Sequence, residues 1–245
     1  MTELVGRQGR TEDAILLDGL RSRRMFDLAV KHCQMRLADE LPAKERASLV
    51  MELIKTQTTI AIFAASNERQ PYWNQIDQTV EQFIQSAPVG SGPPPRTFLV
   101  RVQQALAHVA QASLIRQELA AELAPEADRE RAIGELRVAR KILEDLQFEI
   151  KDAIPERRRR QLQDGELTSN ELLALTTNVR YQMAVCNLVR AELYQNDASG
   201  RASRIDALGQ VEEQLIAVGR GVTAGDPLWW NTSITRVNCL RLLER

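Results

Sequence analysis

Residues 16–41, LLDGLRSRRMFDLAVKHCQMRLADEL, carry apolar side chains at helical spacing around one small residue, Gly19, where a second helix is expected to cross. Phe26, Ala29, Val30, Cys33 and Leu37 share a face, and Pro42 closes the segment because proline cannot continue a helix. An apolar stripe of that width has to be covered by a neighbouring helix. Residues 225–245, GDPLWWNTSITRVNCLRLLER, repeat the pattern far along the chain. Two such units constrain the fold to helices packed on helices.

The stretch between them agrees. Of 245 residues 44% are hydrophobic and 27% charged, enough apolar material for a core, whereas aromatics are only 4%. Leu, Ala, Arg, Glu and Gln dominate, all good helix formers. The alternation that makes half-buried strands is missing, so the class is all-α. Thr11 caps a helix beginning at Glu12 that ends near 21–24. Further helices are expected at 25–40, 44–66 and 72–87, the last with Trp73, Ile76, Val80 and Phe83 inward. Others follow at 97–123, 125–154, 169–195, 201–218 and 227–245, with Pro125 at a helix start and Thr168 with Glu171 forming a capping box. Residues 88–96, PVGSGPPPR, are a Pro/Gly-rich loop, and 1–11 a flexible start. Nine helices joined by mostly short turns read as antiparallel hairpins, one elongated superhelical array (an α-solenoid) over 12–245. Its repeats are degenerate: Phe26 and Trp73 lie 47 residues apart and later intervals are longer.

The segment 19–42 resembles a tetratricopeptide hairpin, with Gly19 at the small place of helix A, Phe26 at the aromatic place of helix B, Ala29 at its small place and Pro42 as the closing proline. Residues 228–243 resemble another helix A, with Trp230 at the aromatic position. The two segments are also similar to the long repeat proteins of planctomycete bacteria. Arg36 and Ile234 depart from the small residues of the family pattern. The resemblance implies protein–protein interaction or scaffolding on a concave face, without a cofactor.

Chemistry-bearing patterns are sparse. His32 and His108 lie on separate helices without metal-ligand spacing, and no cysteine or serine has a base beside it in sequence, which argues against a metal centre and an enzyme. Cys33, Cys186 and Cys239 are scattered through apolar patterns and read as reduced, packed thiols. The formal charge of −1 gives no field for nucleic acid, and Arg157–Arg160 lies among Glu149, Asp152, Glu156 and Asp164 without interleaved aromatics, as a solvated connector does. No signal-peptide core or membrane-length apolar stretch is present, so a cytoplasmic protein is expected, with no membrane insertion.

Helix 169–195 carries two stripes. Leu172, Leu175, Val179, Cys186, Val189 and Leu193 form the apolar one; Thr176, Arg180, Met183, Asn187 and Arg190 form the other. Arg180, Asn187 and Arg190, with Asn231, Thr235 and Asn238 of the last helix, are the candidate partner-binding residues. Guanidinium groups suit a carboxylate and side-chain amides suit a peptide backbone. Trp230, Ile234, Val237 and Leu240 are expected to be buried against the preceding pair. The expected function is thus a non-enzymatic module binding a peptide or protein on a concave helical surface, with a fragment of a longer array as one form it can take. The alternative is a structural homo-oligomer assembling through its terminal helices.

Overall fold

The structure is a computed structural model that describes residues 11–87, 92–195 and 197–244. Most of the expected flexible start and part of the 88–96 loop lie outside the described residues. Among those residues the chain forms nine α-helices and no strand. These are α1 (Glu12–Ser22), α2 (Phe26–Ala38), α3 (Ala43–Phe63), α4 (Gln70–Gln85) and α5 (Thr97–Ala120). They continue as α6 (Asp128–Arg159), α7 (Ser169–Glu192), α8 (Ala198–Gly219) and α9 (Pro227–Leu242).

Local chemistry starts several of them. Thr11 Oγ1 accepts from the Ala14 amide at 3.2 Å, Asp226 Oδ1 from Leu228 at 2.7 Å, and Thr168 and Glu171 close the expected capping box on α7. Helix α6 departs from expectation at both ends. It begins at Asp128, three residues after Pro125, and runs through Pro155 to Arg159. A proline inside a helix costs about 3 kcal/mol. The extra turn is held from both sides: Ile150 is fully buried before it, and Arg157 and Arg160 both fasten onto Glu166 after it.

Each helix packs on its successor. The alternate helices α1, α3, α5, α7 and α9 also touch one another in turn, whereas α2, α4, α6 and α8 make no comparable contacts among themselves. The core is therefore a string of clusters. Leu17, Ala29, Cys33, Leu49 and Leu53 join α1, α2 and α3. Ile54, Trp73, Ile76, Phe83 and Val100 join α3, α4 and α5. Leu136, Leu143, Leu146 and Leu172 belong to the cluster of α5, α6 and α7, and Tyr181, Leu208, Leu215 and Cys239 to that of α7, α8 and α9. Each fully buried leucine or isoleucine contributes roughly 1.5–3 kcal/mol.

One device recurs between neighbours. Cys186 Sγ of α7 donates to the Leu136 carbonyl of α6 at 3.4 Å, and Cys239 Sγ of α9 to the Leu208 carbonyl of α8 at 3.3 Å. All three cysteines are buried and unpaired, as expected. Burial pushes the Cys33 thiol up to about 12 and Cys186 to about 11.

Two packing expectations are corrected. Gly19 is not at a helix crossing: a Cβ there would meet only the end of Arg23, the C-cap of the same helix, at 3.2 Å. Leu17 and Ala29, both fully buried, fill the contact instead. On α9, Trp230, Ile234 and Val237 are 58%, 65% and 67% exposed, not buried. The helix turns Thr232 and Cys239 inward and leaves that stripe open. Its apolar residues surround the axis, so periodicity alone cannot pick the inward face.

Ala29→Leu forces a larger side chain into a filled contact and is expected to destabilise the fold by about 1–3 kcal/mol. Urea unfolding of the variant measures this, and an unchanged midpoint would break the assignment.

Candidate functional site

Helix α7 sends its apolar stripe inward: Leu172, Val179, Cys186 and Leu193 are buried. The second stripe lies beside it. Cys186 reaches α6, and the next residue, Asn187, donates from Nδ2 to Gln214 Oε1 of α8 at 3.1 Å. Because α6 and α8 barely meet, the strip of α7 between them stays open as the floor of a furrow. Arg180 and Arg190 are exposed on that strip, and Met183 and Asn187 are half-buried.

The furrow is electrostatically uneven. Arg140 of α6 donates to Glu144 at 2.7 Å. Burial dominates the raised pKa of Cys186; Arg140 and Arg190 pull the other way and Glu144 reinforces it, so these charges share the seam. The side chains of Arg180 and Arg190 have no hydrogen-bond or ion-pair partner among the described residues. The seam thus offers two uncommitted guanidiniums over a partly apolar floor, the combination that takes a carboxylate.

The three α9 candidates lie elsewhere. Thr235 Oγ1 and Tyr181 Oη of α7 are 3.0 Å apart, and Asn238 accepts from Arg241 at 3.0 Å. Asn231 is half-buried. Tyr181 follows Arg180, and one step along a helix turns the side chain by about 100°. The structure therefore brings Arg180, Asn187 and Arg190 together on the α6/α8 side, and Asn231, Thr235 and Asn238 together where α9 faces α7. No contact joins the two sets.

His108 is a cluster that sequence spacing does not reveal. Its Nδ1 lies 2.8 Å from Glu135 of α6 and its Nε2 3.2 Å from Asp77 of α4. Those carboxylates are 27 and 31 residues away, so only the packing of α4 and α6 against α5 assembles the group. Burial opposes protonation of the imidazole, but the hydrogen bonds and charges of both carboxylates outweigh it and hold the pKa at about 9. The arginine run is committed in part: Arg157 and Arg160 bind Glu166, while Arg158 and Arg159 are exposed. A cleft of about 900 Å³ beside it is lined by Arg46, Phe83, Arg96 and Phe98, among others. Arg46 is spent on the Leu37 and Asp39 carbonyls and Arg96 on that of Gly165, so this cleft is a structural junction.

Among the described residues no helix is long and apolar enough to cross a membrane. Compared with known protein families, curated proteins and solved structures, the chain matches none.

The His108 cluster gives a pH signature. A histidine with a raised native pKa contributes stability that is full below its ordinary value of 6.5 and fades as pH rises through about 9. Between pH 6 and pH 9.5 the wild-type protein is expected to lose on the order of 1–3 kcal/mol that His108→Gln does not lose. Urea unfolding at both values measures it, and parallel losses would remove the assignment.

Proposed function

We propose that this chain is a non-enzymatic helical-repeat module that binds an extended acidic peptide or protein segment along the seam over α7. The carrying observation is the pair Arg180 and Arg190, exposed and unpartnered in a furrow walled by α6 and α8. Ten residues of helix separate them by about 15 Å, the span of a short extended segment. Arg180 and Arg190 take side-chain or terminal carboxylates, Asn187 offers its amide to the backbone, and Met183 adapts to apolar residues between. The pattern of neighbour and alternate-helix contacts supports a superhelical array of hairpins, and with it the tetratricopeptide-like reading and its scaffold role. Three buried reduced thiols fit a cytoplasmic site of action.

The test pairs a pull-down from native lysate with a binding titration of the captured partner. Arg180→Ala with Arg190→Ala is expected to leave stability within about ±0.5 kcal/mol, as surface changes do. Binding weakens in the double variant, most clearly at low salt, where the charges are least screened. A well-folded double variant that binds as tightly as the parent would remove the seam as the site.

A homo-oligomer is the second reading, favoured by a specific observation. Trp230, Ile234 and Val237 line the open side of α9, and Ile15, Leu16, Leu28 and Met35 are exposed on α1 and α2. Repeat arrays normally carry polar outer faces at their ends. Under this reading light scattering gives a mass that rises with concentration, and Ile234→Glu returns it to that of one chain. A constant single-chain mass over the whole range would exclude it.

A further inference from the structure

A second feature lies outside the seam, where α5 and α7 end and α6 and α8 begin. A pocket of about 220 Å³ there is lined by Arg116 of α5, Arg129 of α6, Glu192 and Tyr194 at the end of α7, and Arg204 of α8, among others. It is smaller than the roughly 300 Å³ at which sites for drug-sized ligands begin, so it suits a small ion or one group of a larger molecule.

Its arginines are incompletely matched. Arg129 is matched at each nitrogen, donating to the Leu193 carbonyl from Nη1 and to Glu126 from Nε and, at 3.0 Å, from Nη2, so the shortfall lies with the other two. Arg116 Nη1 stands 3.4 Å from Glu192, while its Nε is a buried donor with no acceptor. Arg204 is half-buried and has no partner among the described residues. Three guanidiniums thus face two carboxylates, and one positive charge is left over. An unmet buried donor is costly, and native proteins meet such groups with a water or an ion. Three guanidiniums from three helices line one pocket, an arrangement suited to a tetrahedral group with several outward oxygens. A planar carboxylate is satisfied by one arginine fork.

We propose that this pocket binds a phosphate group, held by Arg116, Arg129 and Arg204. Arg204 then gains its missing counter-charge, and Arg116 a second anion beside Glu192. The group is either free phosphate or the phosphate of a phosphorylated side chain. The site is independent of the seam, because none of its lining residues belongs to the Arg180–Arg190 stripe.

The test is an NMR titration of the full chain at constant ionic strength, following the Nε–Hε signal of Arg116, which Arg116→Lys identifies by its loss. Inorganic phosphate is expected to shift that signal saturably in the millimolar range, and potassium acetate or chloride is not. Arg204→Ala removes an unpartnered side chain and weakens binding by about tenfold or more. Arg204→Lys, which keeps charge but loses the fork, falls between, and Arg180→Ala binds as the parent does. O-phosphoserine binding tighter than inorganic phosphate assigns the pocket to a phosphorylated side chain; equal binding assigns it to the free ion. An unmoved signal, an equal response to acetate, or unchanged affinity in both Arg204 variants would overturn the proposal.

Discussion

The structure depends on one constraint: each interior helix of the alternate row must be covered by four others. Helix α3 is packed by α1, α2, α4 and α5; α5 by α3, α4, α6 and α7; α7 by α5, α6, α8 and α9. Their apolar and small residues surround most of the axis, so a single neighbour could not remove enough surface from water. The even helices need only one buried face, and they show it: Leu208, Val211, Leu215 and Val218 are the buried positions of α8. Segregation into covered and covering helices sets everything else. The seam over α7 exists because two covering helices barely meet, and the stripe of α9 is open because α7 and α8 supply its main contacts.

The same constraint decides which polar groups sit inside. Glu52 of α3 has a side chain only 9% exposed, yet it lies 2.7 Å from Arg21 of α1 and 2.7 Å from Lys55. A buried carboxylate without such partners would be expensive. His108 is handled alike, with a carboxylate from each flanking helix. These groups tie α1 to α3 and α5 to α4 and α6, adding direction to contacts that hydrophobic burial leaves unspecific.

Much of the helical layout was legible in the residues, because caps and periodicity are local. Thr11, Thr168 with Glu171, and the 3, 4, 3 spacing of Trp73, Ile76, Val80 and Phe83 each state a local preference that tertiary packing does not oppose. The misses share a different origin. Gly19 looked like a crossing point because a small residue permits close approach, but permission is not occupancy, and the neighbour settled on Ala29. Trp230, Ile234 and Val237 looked like core because they are apolar, yet Thr232 and Cys239 fit the space against α8. Pro155 looked like a stop because its local cost is real, and ion pairs formed with Glu166 beyond it offset that cost. For the candidate site, the stripe on α7 was legible while its surroundings were not. Spacing places Arg180, Asn187 and Arg190 on one face but cannot say that α6 and α8 flank it. The pocket of Arg116, Arg129 and Arg204 draws on three helices, the last arginine 75 residues beyond the second, and leaves no mark at helical spacing.

Because each core cluster joins three consecutive helices, nearly every helix–helix contact closes a short stretch of chain. Closing short stretches costs little entropy, and chains rich in such contacts fold quickly. It also makes opening local. The cluster around Leu17, Ala29 and Cys33 shares helix α3 with the next cluster, so α1 and α2 can detach while the interior of the chain stays ordered. Backbone amides of α1 and α2 would then exchange with solvent through openings that leave those of α5, α6 and α7 protected. In this chain the hierarchy of motion follows the order of the helices.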